Sequence, residues 1–137
     1  MLSLKKLCVG IKSFDELEMY QSNLIKNNQI ISISTRMWPK RFKEILLGGS
    51  LYWVIKNKFS ARQLILGFEE IFREDGKRFC KILLDRKLHR VVNYPQRPFQ
   101  GWRYLTDEKK PKDIFTDEDN KEIPPELLAE LNEFGIT

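Results

Sequence analysis

The sequence predicts an α+β fold in which a mainly antiparallel sheet is flanked by helices. Three observations predict it. Ser13-Phe14-Asp15-Glu16 has the spacing of a helix capping box ahead of an amphipathic run. Gly48-Gly49 turns the chain into an alternating stretch over residues 51–56. Asp75-Gly76 stands between two apolar runs as a hairpin signal.

In chain order, residues 4–10 read as a first strand. Ser13 then serves as N-cap, and Phe14, Leu17, Tyr20, Leu24 and Ile25 give the apolar stripe of a helix that ends near Asn27-Asn28. The β-branched stretch 30–34 is the second strand. Pro39 fits the first turn of a short helix with Phe42, Ile45 and Leu46 apolar, and Gly48 caps its end with positive φ. In 51–56, Leu51, Trp53 and Ile55 alternate with Tyr52, Val54 and Lys56, so both faces of that strand carry substantial side chains. Residues 59–72 admit two readings. Ala61, Leu64, Ile65, Phe68 and Phe72 suit a helix with Ser60 and Gln63 as its capping box, whereas Gly67 and the Asp75-Gly76 turn ahead of 79–84 favour a long hairpin. The hairpin is the preferred reading. Residues 85–92 carry the single histidine, His89, into a proline-punctuated loop. Beyond Leu105 the composition turns polar, so 106–121 read as a mobile linker. Pro124-Pro125-Glu126 opens a final short helix with Leu127, Leu128, Leu131 and Phe134 apolar. The expected organisation is a basic domain over 1–105, with an acidic linker and C-terminal helix over 106–137 packing on it.

A chain of 137 residues is large enough to bury a core without staples. No apolar run approaches the roughly 20 residues of a membrane-spanning helix. The opening residues lack the apolar segment and small-residue cleavage site of a signal peptide, so the expected location is the cytoplasm. Cys8 and Cys80 sit among apolar residues in no metal or redox motif and are expected to be free thiols. Charge is divided sharply. Residues 1–104 carry 20 Lys+Arg against 9 Asp+Glu, while 105–137 carry 4 against 10. A basic body favours polyanions, because phosphate contacts release counterions; a merely solvated surface is the plainer explanation.

Two stretches concentrate cations, aromatic rings and turn residues. They are Thr35-Arg36-Met37-Trp38-Pro39-Lys40-Arg41 and Arg97-Pro98-Phe99-Gln100-Gly101-Trp102-Arg103-Tyr104. Together with Lys6-Leu7-Cys8-Val9-Gly10, the segment from Gly48 to Lys56, and Ala61-Arg62-Gln63, they occur in an order that resembles a small bacterial family, domain of unknown function 1489. The resemblance covers nearly the whole chain and implies no activity. Asn57 departs from it, where a glycine is expected after Ile55-Lys56. A weaker similarity is to PUA-like domains of the ASCH and EVE types, where a Pro-rich helical turn leads through glycine into a Tyr/Trp-bearing strand. That similarity implies closure of the sheet. The expected fold is thus an α+β, mainly antiparallel, partly closed PUA-like β-barrel with flanking helices and a cleft for a base or modified nucleotide.

Catalytic signatures are weak. One histidine and two distant cysteines offer no metal-ligand spacing, so neither metal nor cofactor is expected. Ser50 lacks the frame of a nucleophile elbow, and Gly48-Gly49-Ser50 lacks the Gly-Lys-Ser/Thr ending of a phosphate loop. The leading expectation is therefore a nucleic-acid or nucleotide-binding module, with RNA favoured. Arg36, Lys40, Arg41, Arg97 and Arg103 would meet phosphates, while Trp38, Trp102, Tyr52 and Phe99 would stack on bases, a contact worth roughly 1–3 kcal/mol. Gln63 and Gln100 would read a base edge, and Arg62 completes the set. The structural alternatives are arginines that pair with Glu44 or stack on tryptophan to tie the two loops together, glutamines that satisfy turn amides, and Trp53 in the core. The competing functions are a protein-interaction module and a small hydrolase acting on a modified nucleoside.

Overall fold

Ser13 caps α1 (Phe14–Lys26) by accepting a hydrogen bond from the Glu16 amide at 3.2 Å, and Glu16 Oε2 accepts from the Lys12 amide at 3.2 Å. The capping box is therefore present, with its return arm one residue early. Leu17 and Gln21 are the buried residues of α1, whereas Tyr20, expected on its apolar stripe, is exposed. The molecule is described by a computed structural model over residues 1–114. The expected C-terminal helix and the later part of the expected linker lie outside the described residues.

Seven strands make one sheet. β1 (Ser3–Leu7), β2 (Ser32–Thr35), β3 (Ser50–Ile55), β4 (Lys58–Phe72), β5 (Arg78–Leu84) and β7 (Trp102–Leu105) stand in the order β2-β5-β4-β3-β1-β7, and the short β6 (His89–Arg90) pairs with β4. The sheet is mixed. β1 runs parallel to β3, with Lys5 beside Tyr52 and Lys6 beside Trp53, and the remaining ladders are antiparallel.

The 59–72 ambiguity resolves as strand. β4 runs for 15 residues and forms a hairpin with β5 through the Asp75-Gly76 turn, where the Arg73 amide bonds Lys77 O at 3.0 Å. Its register slips between Ile65 and Gly67. A bulge there bends the strand; its first half pairs with β3 and its second with β5. β3 and β4 meet at the two-residue turn Lys56-Asn57, both residues left-handed at φ 50° and 63°. Asn tolerates that conformation, which explains how Asn57 replaces the expected glycine.

The expected α+β, partly closed PUA-like barrel with flanking helices is not what the chain builds: the described residues form mostly sheet, with only α1 and the four-residue α2 (Phe42–Ile45) as helices. Among the described residues no ladder joins β2 to β7, so the sheet stays open. The physical reason is connectivity: β1 occupies the slot beside β3 in parallel, which leaves β7 as one edge while four-residue β2 lies beyond β5 at the other. Side chains bridge the gap instead. Trp102 Nε1 donates to Met37 O at 2.8 Å, and the Arg41 amide donates to the Tyr104 hydroxyl at 3.1 Å.

α2 (Phe42–Ile45) is a single turn; Pro39, expected in its first turn, precedes it as a buried loop residue. Gly49 is required by close approach, since a Cβ there would stand 2.1 Å from Leu2 O and 2.7 Å from Ile45 O. Two apolar clusters cover the two faces of the sheet. On the α1 side, Leu4, Leu51, Trp53, Ala61 and Ile82 pack with Leu17. On the other, Tyr52, Val54, Phe59, Val91 and Leu105 pack with Phe99. The segment read as the start of a mobile linker is fastened to this second face: the Val92 amide bonds Lys112 O at 2.8 Å and the Ile114 amide bonds Arg90 O at 2.7 Å. Backbone pairing to β6 and the residues after it overrides what its polar composition suggested. Among the described residues no helix is long and apolar enough to cross a membrane.

Candidate nucleic-acid interface

Strand register sets Arg103 of β7, Lys5 of β1, Tyr52 of β3 and Arg62 of β4 side by side in one row across the sheet. Partners in register point the same way, here to the face opposite α1. With strands about 4.8 Å apart, the row spans about 14 Å. Three of its four members were expected from sequence as site residues. Lys5 was missed. Its signal was the alternation of Ser3, Lys5 and Leu7 with Leu4 and Lys6, which becomes informative once the neighbours of β1 are known.

Lys5 is the centre of the basic end of this row. Its Nζ donates to Gln96 Oε1 at 2.8 Å and stands 5.4 Å from the centre of the Phe99 ring. Burial, then the charges of Lys109 and Arg103, hold its ammonium below the usual lysine range. Among the described residues no carboxylate forms an ion pair with Lys5, Arg103 or Lys109. Like charges set together without a counter-charge repel, and an incoming anion relieves them. Arg97 and Gln100 lie exposed on the loop that carries Phe99 into β7.

The other expected residues divide among three places. Trp102 and Tyr104, on the α1 side of β7, pack edge to face at 4.9 Å and form the seam to the Met37–Arg41 loop described above. Arg41 lies 5.6 Å from the Tyr104 ring centre and forks onto Glu44 at 3.0 and 2.7 Å. Trp38 is half-buried against Phe42 and Phe68, with the Arg78 guanidinium 5.2 Å from its ring centre. Both tryptophans are thus committed to holding loops together, the structural alternative named from sequence. Arg36 lies 5.4 Å from the Phe79 ring centre and donates to Arg78 O at 3.0 Å, while Lys40 is exposed at the turn into α2.

Gln63 is the clearest departure from the expected site. It is fully buried. Its Nε2 donates to Gln21 Oε1 at 2.6 Å and to Asp85 O at 3.0 Å, and its Oε1 accepts from Gln21 Nε2 and Trp53 Nε1, both at 2.8 Å. Two donors and two acceptor positions are the whole capacity of an amide, so nothing is left to read a base. Sequence gave no sign of this, because Gln21 stands in the helical stripe where a polar residue reads as solvent-facing.

Tyr52 and Arg62, at the far end of the row, open onto a cleft of about 560 Å³ whose walls include Ser3, Ser50, Asp107, Lys110, Lys112 and Asp113. Arg62 forks onto Asp113 through Nε and Nη2, both at 2.6 Å, and its Nη1 donates to Ser50 Oγ at 3.1 Å. The pairing with Asp113 raises the already high pKa of Arg62. Tyr52 is buried, with its ring edge-on to Phe59 at 6.2 Å, and burial pushes its hydroxyl up to about 12. It is therefore placed for hydrogen bonding at the cleft and not for stacking on a base.

No curated protein and no solved structure matches the chain. The likeness to PUA-like domains therefore rests on the sequence pattern alone, and the open sheet departs from it. Residues 4–137 match the family described as protein of unknown function (DUF1489), which restates in full the resemblance carried by its Trp-Pro-Lys-Arg and Phe-Gln-Gly-Trp-Arg-Tyr strings. The chain belongs to that family.

Proposed function

We propose that the chain binds nucleic acid through its phosphates, at the β7 edge where Lys5, Arg103 and Lys109 cluster beside Phe99. The observation that carries this reading is Lys5, set in register with Arg103 and repelled by it and by Lys109, with no carboxylate ion-paired to any of the three among the described residues. Like charges set side by side work against the fold, whereas an anionic strand would lower their energy. Phe99 is half-exposed next to Lys5 and offers the one ring of the expected stacking set that lies on this surface. Arg97 and Gln100 would extend the contact along the loop. Phosphate contact dominates in this reading and base stacking is confined to Phe99, because Trp38 and Trp102 are engaged within the protein.

The test is a fluorescence-anisotropy titration with labelled single- and double-stranded RNA and DNA at several salt concentrations. Micromolar binding that weakens steeply and linearly on a log–log salt plot is expected. Absence of binding at low salt would remove the reading and favour the protein-interaction alternative.

A further inference from the structure

A different observation carries a second site. Tyr52 is 3% exposed, and among the described residues no protein group hydrogen-bonds its hydroxyl. A buried hydroxyl without a protein partner costs free energy unless what fills the cleft accepts its proton, and its surroundings suit a ligand there. Ser50 precedes it by two residues on the same face of β3, and Arg62 stands opposite it in the β3–β4 ladder. Arg62 has five N–H donors, of which Asp113 takes two and Ser50 one, leaving two uncommitted. The Ser50 hydroxyl accepts from Arg62 and keeps its own proton to give. Asp113 holds the guanidinium in place by both oxygens. Tyr52, Ser50 and Arg62 line the cleft together with Asp107, Glu108 and Asp113.

We propose that this cleft binds a small tetrahedral oxyanion, a phosphate group, through the Tyr52 hydroxyl, the Ser50 hydroxyl and the free N–H groups of Arg62. Three donors from two adjacent strands, facing one space, match an acceptor with several oxygens better than they match a planar carboxylate with two. Lys112 adds positive charge to the lining, and the Asp107 carboxylate is already engaged by Lys110 at 3.0 Å and by the Met1 ammonium at 2.6 Å. The site does not depend on the β7-edge reading, since Lys5, Arg103 and Lys109 take no part in it.

The experiment is calorimetric titration of the full chain with inorganic phosphate, then with acetate, at constant ionic strength, for wild type and Tyr52→Phe. Wild type should bind phosphate and bind acetate at least tenfold more weakly. Tyr52→Phe should weaken phosphate at least tenfold while its melting temperature without phosphate stays equal or rises, because the substitution deletes an unpaired buried hydroxyl. Any one of three results would overturn the proposal: no phosphate binding by wild type, equal binding by Tyr52→Phe, or a lower melting temperature for Tyr52→Phe without ligand.

Discussion

Lys5 faces Arg103 across the β1–β7 ladder, two cations in register, with Lys109 adding a third charge to the same ammonium. Opposite charges directly across a ladder stabilise a sheet and like charges oppose it. Removing one should therefore not harm the fold. Arg103→Gln is expected to change stability by no more than about 0.5 kcal/mol, as for an exposed residue with no partner lost. Urea denaturation checks this, and a large loss would mark Arg103 as structural.

Gln63 behaves in the opposite way. Gln63→Leu strands the Gln21 amide and the Trp53 N–H in a buried site, and each unsatisfied group costs about 1–3 kcal/mol. A loss on the order of 3 kcal/mol is expected in chemical denaturation. Gln21→Leu combined with Gln63→Leu should cost less than the two single changes added, because neither amide then waits for the other. Strict additivity would mean that the pair is not coupled.

Much of the fold was legible because it was written locally. Ser13 and Glu16 marked the start of α1, Gly48-Gly49 the entry to β3, and Asp75-Gly76 the hairpin that decided residues 59–72. What was not legible depends on partners distant in sequence. The parallel β1–β3 pairing joins residues some 47 positions apart, and it displaced the expected barrel. Residues 106–114 look mobile by composition, yet Asp113 and Lys112 are held by Arg62 and Val92. The site shows the same division. Arg103, Tyr52 and Arg62 were visible as residue types, but only register puts them in one row, and Lys5 and Gln21 acquire their meaning from the strand or residue beside them.

The seam across the open side of the sheet gives a third prediction. Trp102→Phe keeps most of the ring packing and deletes the Nε1 bond to Met37 O. A cost of about 1 kcal/mol is expected from one net hydrogen bond. Amide hydrogen exchange should accelerate in the loop from Arg36 to Arg41, which that bond helps to hold. Unchanged exchange there would show that the Tyr104–Arg41 contact alone fixes the loop.

Alkaline pH isolates Tyr52. Burial raises its pKa from the ordinary tyrosine value of 10.0 to about 12, so the folded state keeps the proton over a range where the unfolded chain loses it. Stability contributed by this group is intact below pH 10 and declines as pH rises from there to about 12. Cys8 and Cys80, raised by burial from 9.0 to about 11, act in the same direction from pH 9 upward. In Tyr52→Phe the fall in melting temperature between pH 10 and 12 should therefore be shallower than in wild type. Superimposable pH profiles would place the Tyr52 hydroxyl in water.

In the proposed interface Lys5 and Arg103 contact nucleic-acid phosphates. The most direct measurement compares the salt dependence of single-stranded RNA binding by wild type with that of the double variant Lys5→Gln/Arg103→Gln. Each phosphate contact contributes about 0.7 to the log–log slope for a single strand, so losing two should flatten it by about 1.4. That flattening is expected together with weaker binding, while the variant keeps a cooperative melting transition. A variant with the wild-type slope and affinity would contradict it, because the strand would then be held elsewhere or not by these charges at all.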